Sequence, residues 1–171
     1  MVIIMVNSEE LLKFIKNRRS IRSFQDKQIQ DNEMEMILEA GRWAPSASNK
    51  QPWEFIVIKD REFIIKVAKA ASYGRFIKEA PVLIAIIGKT RISPKWYIID
   101  TSLVTMNMML MAWSLGIGTC WIGAMNREKA RQILELKDTD YVATILPFGY
   151  IKGNIPLPTL RKSKEEIVRE L

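Results

Sequence analysis

The chain has 171 residues, of which 48% are hydrophobic and 26% are charged, a composition typical of one globular domain. Its 26 lysines and arginines outnumber its 19 aspartates and glutamates, and the net charge of +7 favours an anionic ligand such as a phosphorylated cofactor, an anionic lipid or nucleic acid. It has no histidine and one cysteine, Cys120, which excludes Ser-His-Asp triads, the usual zinc sites and an internal disulfide.

Two apolar stretches raise the question of a targeting or membrane segment. The start, MVIIMVNSEE, has no basic region and no small-residue cleavage site, so we expect no signal peptide. Residues 101–126 carry no charge and are long enough to cross a bilayer. They also include hydroxyl and amide side chains, which are costly in lipid, and the helix-breaking GIG at 116–118. We therefore predict no membrane span, and the single cysteine indicates a reducing cytoplasm.

The first two predicted elements are helices. Ser8, followed by two glutamates and by leucines at helical spacing, is typical of the N-cap of a helix that ends near the arginines of residues 18–22. Apolar residues at helical spacing predict a second helix over residues 31–44. Pro45 ends it, because proline disfavours helical geometry in the residue before it.

Strands and helices alternate in the rest of the chain. β-branched and apolar runs predict strands at EFIVIK (54–59), PVLIAIIG (81–88), TCWIG (119–123) and YVATILPFGY (141–150). Helices are predicted over residues 60–71, 97–115 and, capped by Asn126, 126–135. Roughly four strands and five or six helices, with no repeat and no linker, indicate a single α+β domain of residues 1–171 around one sheet.

The helix predicted at residues 97–115 is apolar on nearly every face, so we expect it to be buried all round. A helix of about 18 residues is roughly 27 Å long, and a domain of this size can hardly cover that length with its own chain. We expect a partner subunit to cover it. Its methionines are interpreted as packing residues of the core or of an interface, and Cys120 just beyond it as a buried residue.

The segment NRRSIRSF, at the end of the first helix, is a candidate anion site. Arg18, Arg19, Ser20 and Arg22 combine guanidinium groups with a hydroxyl, the donors that bind phosphate. The alternative is that arginines after a helix C-terminus only interact with the helix dipole and the last carbonyl groups.

Three further segments could contact a ligand. The small and turn-forming residues of APSASNKQPW could approach a flat ligand, or could simply end a helix. LGIGTCWIG follows a helix and so is not a dinucleotide fingerprint, but its glycines could place backbone N–H groups beside a ligand. Arg161 and Lys162 would complete a phosphate site if the tail folds back; otherwise they form a solvated surface pair.

Five segments taken in order resemble the nitroreductase family of flavin enzymes. They are RRSIRSF, APSASNKQPWEFIVI, APVLIAI, the apolar helix with LGIGTCWIG, and PFGY followed by LRK. The resemblance covers essentially the whole chain. It implies an α/β sandwich with a central, mostly antiparallel sheet flanked by helices, in an intertwined homodimer. The dimer would bind FMN at two interface sites, each formed by both subunits.

The resemblance also implies which residues bind the cofactor. Arg18, Arg19 and Ser20 are similar to ligands of the FMN phosphate and ribityl chain, and Arg161 with Lys162 would close the phosphate end. Arg22 falls where the family has a basic residue near the flavin N1 and C2 carbonyl, where negative charge develops on reduction.

Two loops are similar to those that contact the flavin ring in the family. Pro45, Ser46 and Ala47, with Asn49 nearby, would lie against the ring bound by the partner subunit. Trp121, Ile122 and Gly123 would pass the ring, with the Gly123 N–H directed at N5. Longer relatives have a helical excursion where this chain has only residues 89–96, which implies a more open pocket.

The reaction implied by the resemblance is ping-pong. NADH or NADPH would reduce the flavin, and a small oxidant such as a nitroaromatic or a quinone would then reoxidise it in the same pocket. One alternative is another flavin reaction on this fold, such as dehydrogenation, dehalogenation or flavin modification. The other is a basic nucleic-acid-binding module, which only the net charge of +7 favours. If the chain is a flavin enzyme, we expect it to bind no metal, no nucleic acid and no membrane.

Overall fold

The computed structural model describes residues 6–72 and 75–171. The start of the chain, where no signal peptide is expected, lies largely outside the described residues. The helices are α1 (Ser8–Asn17), α2 (Asp31–Arg42), α3 (Arg61–Ala68), α4 (Tyr97–Ser114) and α5 (Arg127–Ile133), with short 3-10 helices at Ala47–Asn49 and Arg75–Glu79. The strands are β1 (Trp53–Ile58), β2 (Val82–Lys89), β3 (Ile117–Thr119) and β4 (Asp140–Tyr150).

The four strands form one sheet in the order β1-β2-β4-β3, and every neighbouring pair is antiparallel. β2 and β4 are the inner strands, and both are almost wholly buried. Their long apolar runs are what a strand covered on both faces requires. The expected antiparallel sheet is confirmed.

Alternate residues of β2 face two separate hydrophobic cores. Leu83 and Ile87 pack in the core that contains α3 and α5. Ile84 and Ile86 pack in the core that contains α2 and α4. Because strand side chains alternate between faces, one apolar strand supports helices on both sides, and the result is the predicted sandwich.

Several helix ends differ from the prediction by one to three residues; α3, for example, ends at Ala68 and not at residue 71. The N-cap of α1 is Asn7 instead of Ser8, because the Asn7 side chain accepts hydrogen bonds from the N–H groups of Glu9 and Glu10 at 2.9 and 3.1 Å. α2 ends at Arg42, two residues before the predicted end, and the N–H of Ala44 bonds to the Gly41 carbonyl at 3.0 Å in a tightened last turn. The Asn126 cap of α5 is confirmed by its 2.9 Å bond from the Lys129 N–H.

The strand predicted at TCWIG is wrong, because β3 ends at Thr119, the first residue of that segment. Thr119 lies opposite Phe148 of β4, yet its carbonyl accepts a hydrogen bond from Ile21 N–H at 2.8 Å and therefore points away from β4. The next residue, Cys120, would have to bond to Pro147, which has no N–H. The ladder stops there, and residues 120–124 leave the sheet.

α4 is confirmed as the long apolar helix, but a single chain covers only one of its faces. Val104, Met108 and Ala112 are fully buried, whereas Leu103 and Met106 on the opposite side are 40% and 41% exposed. α1 likewise has no buried residue. Within the described residues, no helix has the length and hydropathy needed to cross a membrane.

Candidate functional site

The chain leaving α1 lies against β3 and continues the sheet by one short contact. Ser20 forms a parallel bridge with Thr119, and the Ile21 N–H bonds to the Thr119 carbonyl. The approach is so close that a Cβ on Gly118 would lie 2.6 Å from the Ile21 Cβ. Glycine at position 118 therefore allows residues 18–22 to cross the edge of the sheet.

This crossing creates a cavity of about 190 Å³, which we call the arginine cavity. It is lined by Arg18, Arg19, Ser20, Arg22, Pro156, Leu157, Thr159 and Arg161. The Arg19 Nε donates a hydrogen bond to the Pro156 carbonyl at 3.1 Å, so the tail does fold back onto the arginine segment. Lys162 does not line this cavity.

Arg18 and Arg19 have different surroundings in the arginine cavity. Arg19 Nη1 donates to the carbonyls of Lys16 and Arg18 at 2.6 and 2.9 Å, so for Arg19 the helix-cap interpretation holds. The Nη1 of Arg18 is buried and has no hydrogen-bond partner among the described residues. Burial, and then the positive charges of Arg161 and Arg19, lower the pKa of Arg18. A buried donor held among like charges is suited to an anion.

A second cavity, of about 130 Å³, adjoins the first, and we call it the Trp121 cavity. Its lining is Arg22, Phe76, Cys120, Trp121, Ile122, Gly123 and Ala124. Arg22 lines both cavities, with its guanidinium carbon 6.0 Å from the centre of the Phe76 ring. The Gly123 N–H is exposed here and has no acceptor among the described residues. The arginine cavity is thus joined through Arg22 to a partly apolar pocket.

The loop at residues 45–51 is strained and is tied to α4. Ser48, Asn49 and Gln51 have positive φ angles of 53°, 52° and 48°, a geometry that asparagine tolerates but that costs residues such as Ser48 and Gln51 about 1–2 kcal/mol each. The Ala47 N–H donates to Oδ1 of Asp100, a buried residue in the first turn of α4, at 3.1 Å. Strain of this kind persists only where the surrounding structure enforces it.

The structure brings most of the predicted cofactor residues together. The two cavities contain Arg18, Arg19, Ser20, Arg22, Trp121, Ile122, Gly123 and Arg161. Five predicted residues line neither cavity: Pro45, Ser46, Ala47, Asn49 and Lys162. Four of these belong to the loop that the resemblance places against the cofactor bound by the partner subunit, and their role stays a prediction.

Comparison with known proteins decides the family. The family model described as Nitroreductase matches residues 15–72 and 65–150. The chain belongs to the nitroreductase family. A protein of Archaeoglobus fulgidus, provisionally named an NADH dehydrogenase/NAD(P)H nitroreductase, is 39% identical over an alignment of 151 residues. The alignment covers 84% of this chain and 87% of that protein.

Solved structures support the same nitroreductase fold. A crystal structure from Parabacteroides distasonis, with the same provisional name, has a TM-score of 0.87 at 28% identity, covering 94% of this chain and 97% of its own. An FMN-dependent nitroreductase from Clostridium difficile has a TM-score of 0.83 at 29% identity, covering 93% and 98%. The family and the fold class expected from the resemblance are both confirmed.

Several residues that line or adjoin the two cavities carry little signal in the sequence. Phe76 lies in a short 3-10 helix that carries no motif. Pro156, Leu157 and Thr159 belong to the run PLPT, whose two prolines favour the extended chain that returns to Arg19. That run was the one available signal. Asp100 carries no signal in sequence, because its role depends on the packing of a distant loop.

Gly118→Ala is expected to lower the free energy of unfolding by about 1–3 kcal/mol, because the new Cβ would overlap Ile21, whose backbone is tied to Thr119. Urea denaturation measures the effect. Gly123→Ala is the matched control, since a Cβ there would lie 3.7 Å from Trp121, an ordinary contact, and the change should stay within about 0.5 kcal/mol. Equal stability of the two variants would contradict the close approach at position 118.

Proposed function

We propose that this nitroreductase-family protein is an FMN-dependent oxidoreductase that uses NADH or NADPH to reduce small acceptors such as nitroaromatics or quinones. The observation that carries the proposal is the buried Nη1 of Arg18, which has no hydrogen-bond partner among the described residues and lies in the arginine cavity, which Arg22 joins to the Trp121 cavity. FMN has the matching layout, with a phosphate at one end and a flat ring at the other. The Clostridium difficile structure, named an FMN-dependent nitroreductase, supports the assignment.

The residues present fit the two ends of FMN. Arg18, Arg161 and the Ser20 hydroxyl would hold the phosphate, since they supply charged and neutral donors in one cavity. Trp121, Phe76 and the Gly123 backbone would hold the ring, with an apolar wall and one free N–H group. Among the described residues, Arg161 donates hydrogen bonds only to Thr159 and Leu160 of the tail, so its charge is available to an anion.

Bound FMN would supply the hydride chemistry, and the chain would orient and tune it. Arg22 would place a permanent positive charge beside the edge of the ring where negative charge develops on reduction. The Gly123 N–H would face the ring from the other cavity wall. The absence of histidine from the chain is consistent with this division of roles, because no imidazole acid or base is required.

The active form we propose is a homodimer with one FMN at each interface site. α4 exposes Ile98 and Ile99, 49% and 51% exposed, on the same helix as Leu103 and Met106. α1 exposes Leu11, Leu12 and Ile15 in the single chain. An apolar surface of this kind on a globular protein marks an interaction site. A partner would also bring its 45–51 loop to the Trp121 cavity, which the chain's own loop does not line.

Leu103→Arg should convert the dimer into a monomer and weaken FMN binding by about 30-fold or more, because the charge would be buried against the partner's α4. Sedimentation velocity and FMN titration measure the two effects. Ile65→Arg is the control: Ile65 is 42% exposed on α3, on the opposite side of the sheet, and this variant should remain dimeric. A monomeric variant that binds FMN as the wild type does would refute the shared site.

The activity itself is tested on the purified protein. It should be yellow, or become so after incubation with FMN and removal of the unbound FMN by gel filtration, and its visible absorbance should bleach under nitrogen with NADH or NADPH. Protein that is colourless after this treatment would refute the proposal. A steady-state screen of quinone, nitroaromatic and enone acceptors then separates nitroreductase or quinone reductase activity from another flavin reaction.

A further inference from the structure

Residues 120–124 line the Trp121 cavity although they lie outside the sheet. Upstream, the ladder stops at Thr119 because Pro147 cannot continue it. Downstream, the Ala124 carbonyl accepts a hydrogen bond from the Ser72 N–H at 3.0 Å, and the Asn126 N–H donates to the Ala70 carbonyl at 2.8 Å. The residues between these attachments would be free of the sheet without another anchor.

Arg127 Nη2 donates a hydrogen bond to the Gly123 carbonyl at 3.4 Å, and the anchor of Ile122 is the side chain of Thr144, which is fully buried in β4. Its hydroxyl accepts a hydrogen bond from the Ile122 N–H at 3.2 Å and donates one to the Ile122 carbonyl, also at 3.2 Å. One hydroxyl thus satisfies both polar backbone groups of a residue that is only 6% exposed. Leaving either group unpaired in such a place would be costly.

The two hydrogen bonds between Thr144 and Ile122, which we call the clamp, determine the orientation of the residues on either side of Ile122. Ile122 packs into the core shared with α3 and α5, whereas Trp121 and Gly123 on either side are exposed toward the cavity. The hydrogen bonds of Ile122 are directed inward, so the Gly123 N–H remains available to a ligand. The position of this N–H follows from the position of Ile122.

We propose that Thr144 is a positioning residue of the cofactor site, whose hydroxyl fixes the Ile122 backbone and so holds the Gly123 N–H and Trp121 against the flavin ring. The inference rests on the proposed function, because the ring is the ligand being positioned. Thr144 itself would touch neither FMN nor substrate; it acts through Ile122. A threonine that only filled the core would be replaced by valine without consequence at the cavity.

The test compares four proteins: the wild type, Thr144→Val, Thr144→Ser and Thr105→Val. Valine keeps the shape of threonine and removes the hydroxyl, and serine keeps the hydroxyl. Thr105 is the matched control, since it is equally buried but its hydroxyl donates within α4, to the Thr101 carbonyl at 2.8 Å. If Thr144→Val does not fold, Thr144→Cys, with a weak thiol donor of similar size, replaces it.

The first measurement is amide hydrogen exchange of residues 120–124 in the protein without FMN. We expect the Ile122 amide to exchange about tenfold faster in Thr144→Val, and to return to the wild-type rate in Thr144→Ser. Thr105→Val should leave this segment unchanged. Unchanged exchange in Thr144→Val would overturn the clamp, whether or not the protein binds FMN.

The second measurement is the visible circular dichroism of bound FMN, which reports the surroundings of the ring. We expect Thr144→Val to change this spectrum while still binding FMN, and Thr144→Ser and Thr105→Val to match the wild type. Faster exchange with an unaltered flavin spectrum would overturn the positioning role. A wild-type protein that takes up no FMN would instead refute the proposed function, and with it this role for Thr144, while the exchange result for the clamp would stand.

Discussion

Arg18→Met is expected to weaken FMN binding by about 30-fold or more and, at the same time, to raise the melting temperature of the protein without FMN. The first effect follows from loss of a buried, charged phosphate donor. The higher melting temperature follows because the Arg18 Nη1 is buried and has no hydrogen-bond partner in the described part of the chain, and because burial and the neighbouring Arg161 and Arg19 lower the pKa of Arg18. Removing that guanidinium relieves both the desolvation and the repulsion.

Weaker FMN binding together with a higher melting temperature would distinguish a binding role of Arg18 from a structural one. An arginine that served only to cap α1 would give lower stability when replaced and little change in FMN affinity. Lys162→Met is the matched control, since Lys162 is a cation of the tail that does not line the arginine cavity. The FMN affinity of this variant should stay within about threefold of the wild-type value. Fluorescence titration with FMN and thermal melts of the FMN-free proteins provide the two measurements.

Arg22→Met is expected to lower the midpoint potential of bound FMN and to slow its reduction by NADH or NADPH, while FMN stays bound. Arg22 lines both cavities, and its charge would stabilise the negative charge that develops on the ring. Loss of about 2 kcal/mol of such stabilisation corresponds to roughly 40 mV for a two-electron couple. Anaerobic dye equilibration gives the potential, and stopped-flow absorbance gives the rate.

Arg22→Lys keeps the charge on a shorter donor and should fall between the wild type and Arg22→Met. If Arg22→Met loses FMN altogether, the residue belongs to the phosphate end together with Arg18. An unchanged potential with full FMN occupancy would remove its tuning role.

Most of the fold could be predicted because its elements are specified locally. β2 and α4 are predictable because each is an unbroken apolar run. Such a run is stable only when the strand is buried on both faces or when a partner covers the helix. The end of β3 could not be predicted from its own residues, because it depends on Pro147. Pro147 lies far along the chain and follows in the register after the Thr119–Phe148 pair only once the sheet has formed. The side to which the Thr119 carbonyl points is likewise a property of the assembled edge.

The candidate site divides in the same way. Arg18, Arg19, Ser20 and Arg22 are recognisable because donors of one kind are clustered within a few residues, and the structure places Arg161 beside them. Asp100 and Thr144 look like ordinary residues of a helix and a strand, and each acquires its role from one contact with a distant backbone. The roles of Pro45, Ser46, Ala47 and Asn49 stay predictions, because they concern a second chain.

The strained loop also has a consequence for thermostability engineering. Left-handed geometry at Ser48 and Gln51 costs roughly 2–4 kcal/mol in all, a substantial share of the 5–15 kcal/mol that typically separates a folded domain from its unfolded chain. Glycine at these two positions would recover part of that free energy. Ser48 and Gln51 are therefore the positions of this loop where we expect a heat-tolerant relative to carry glycine.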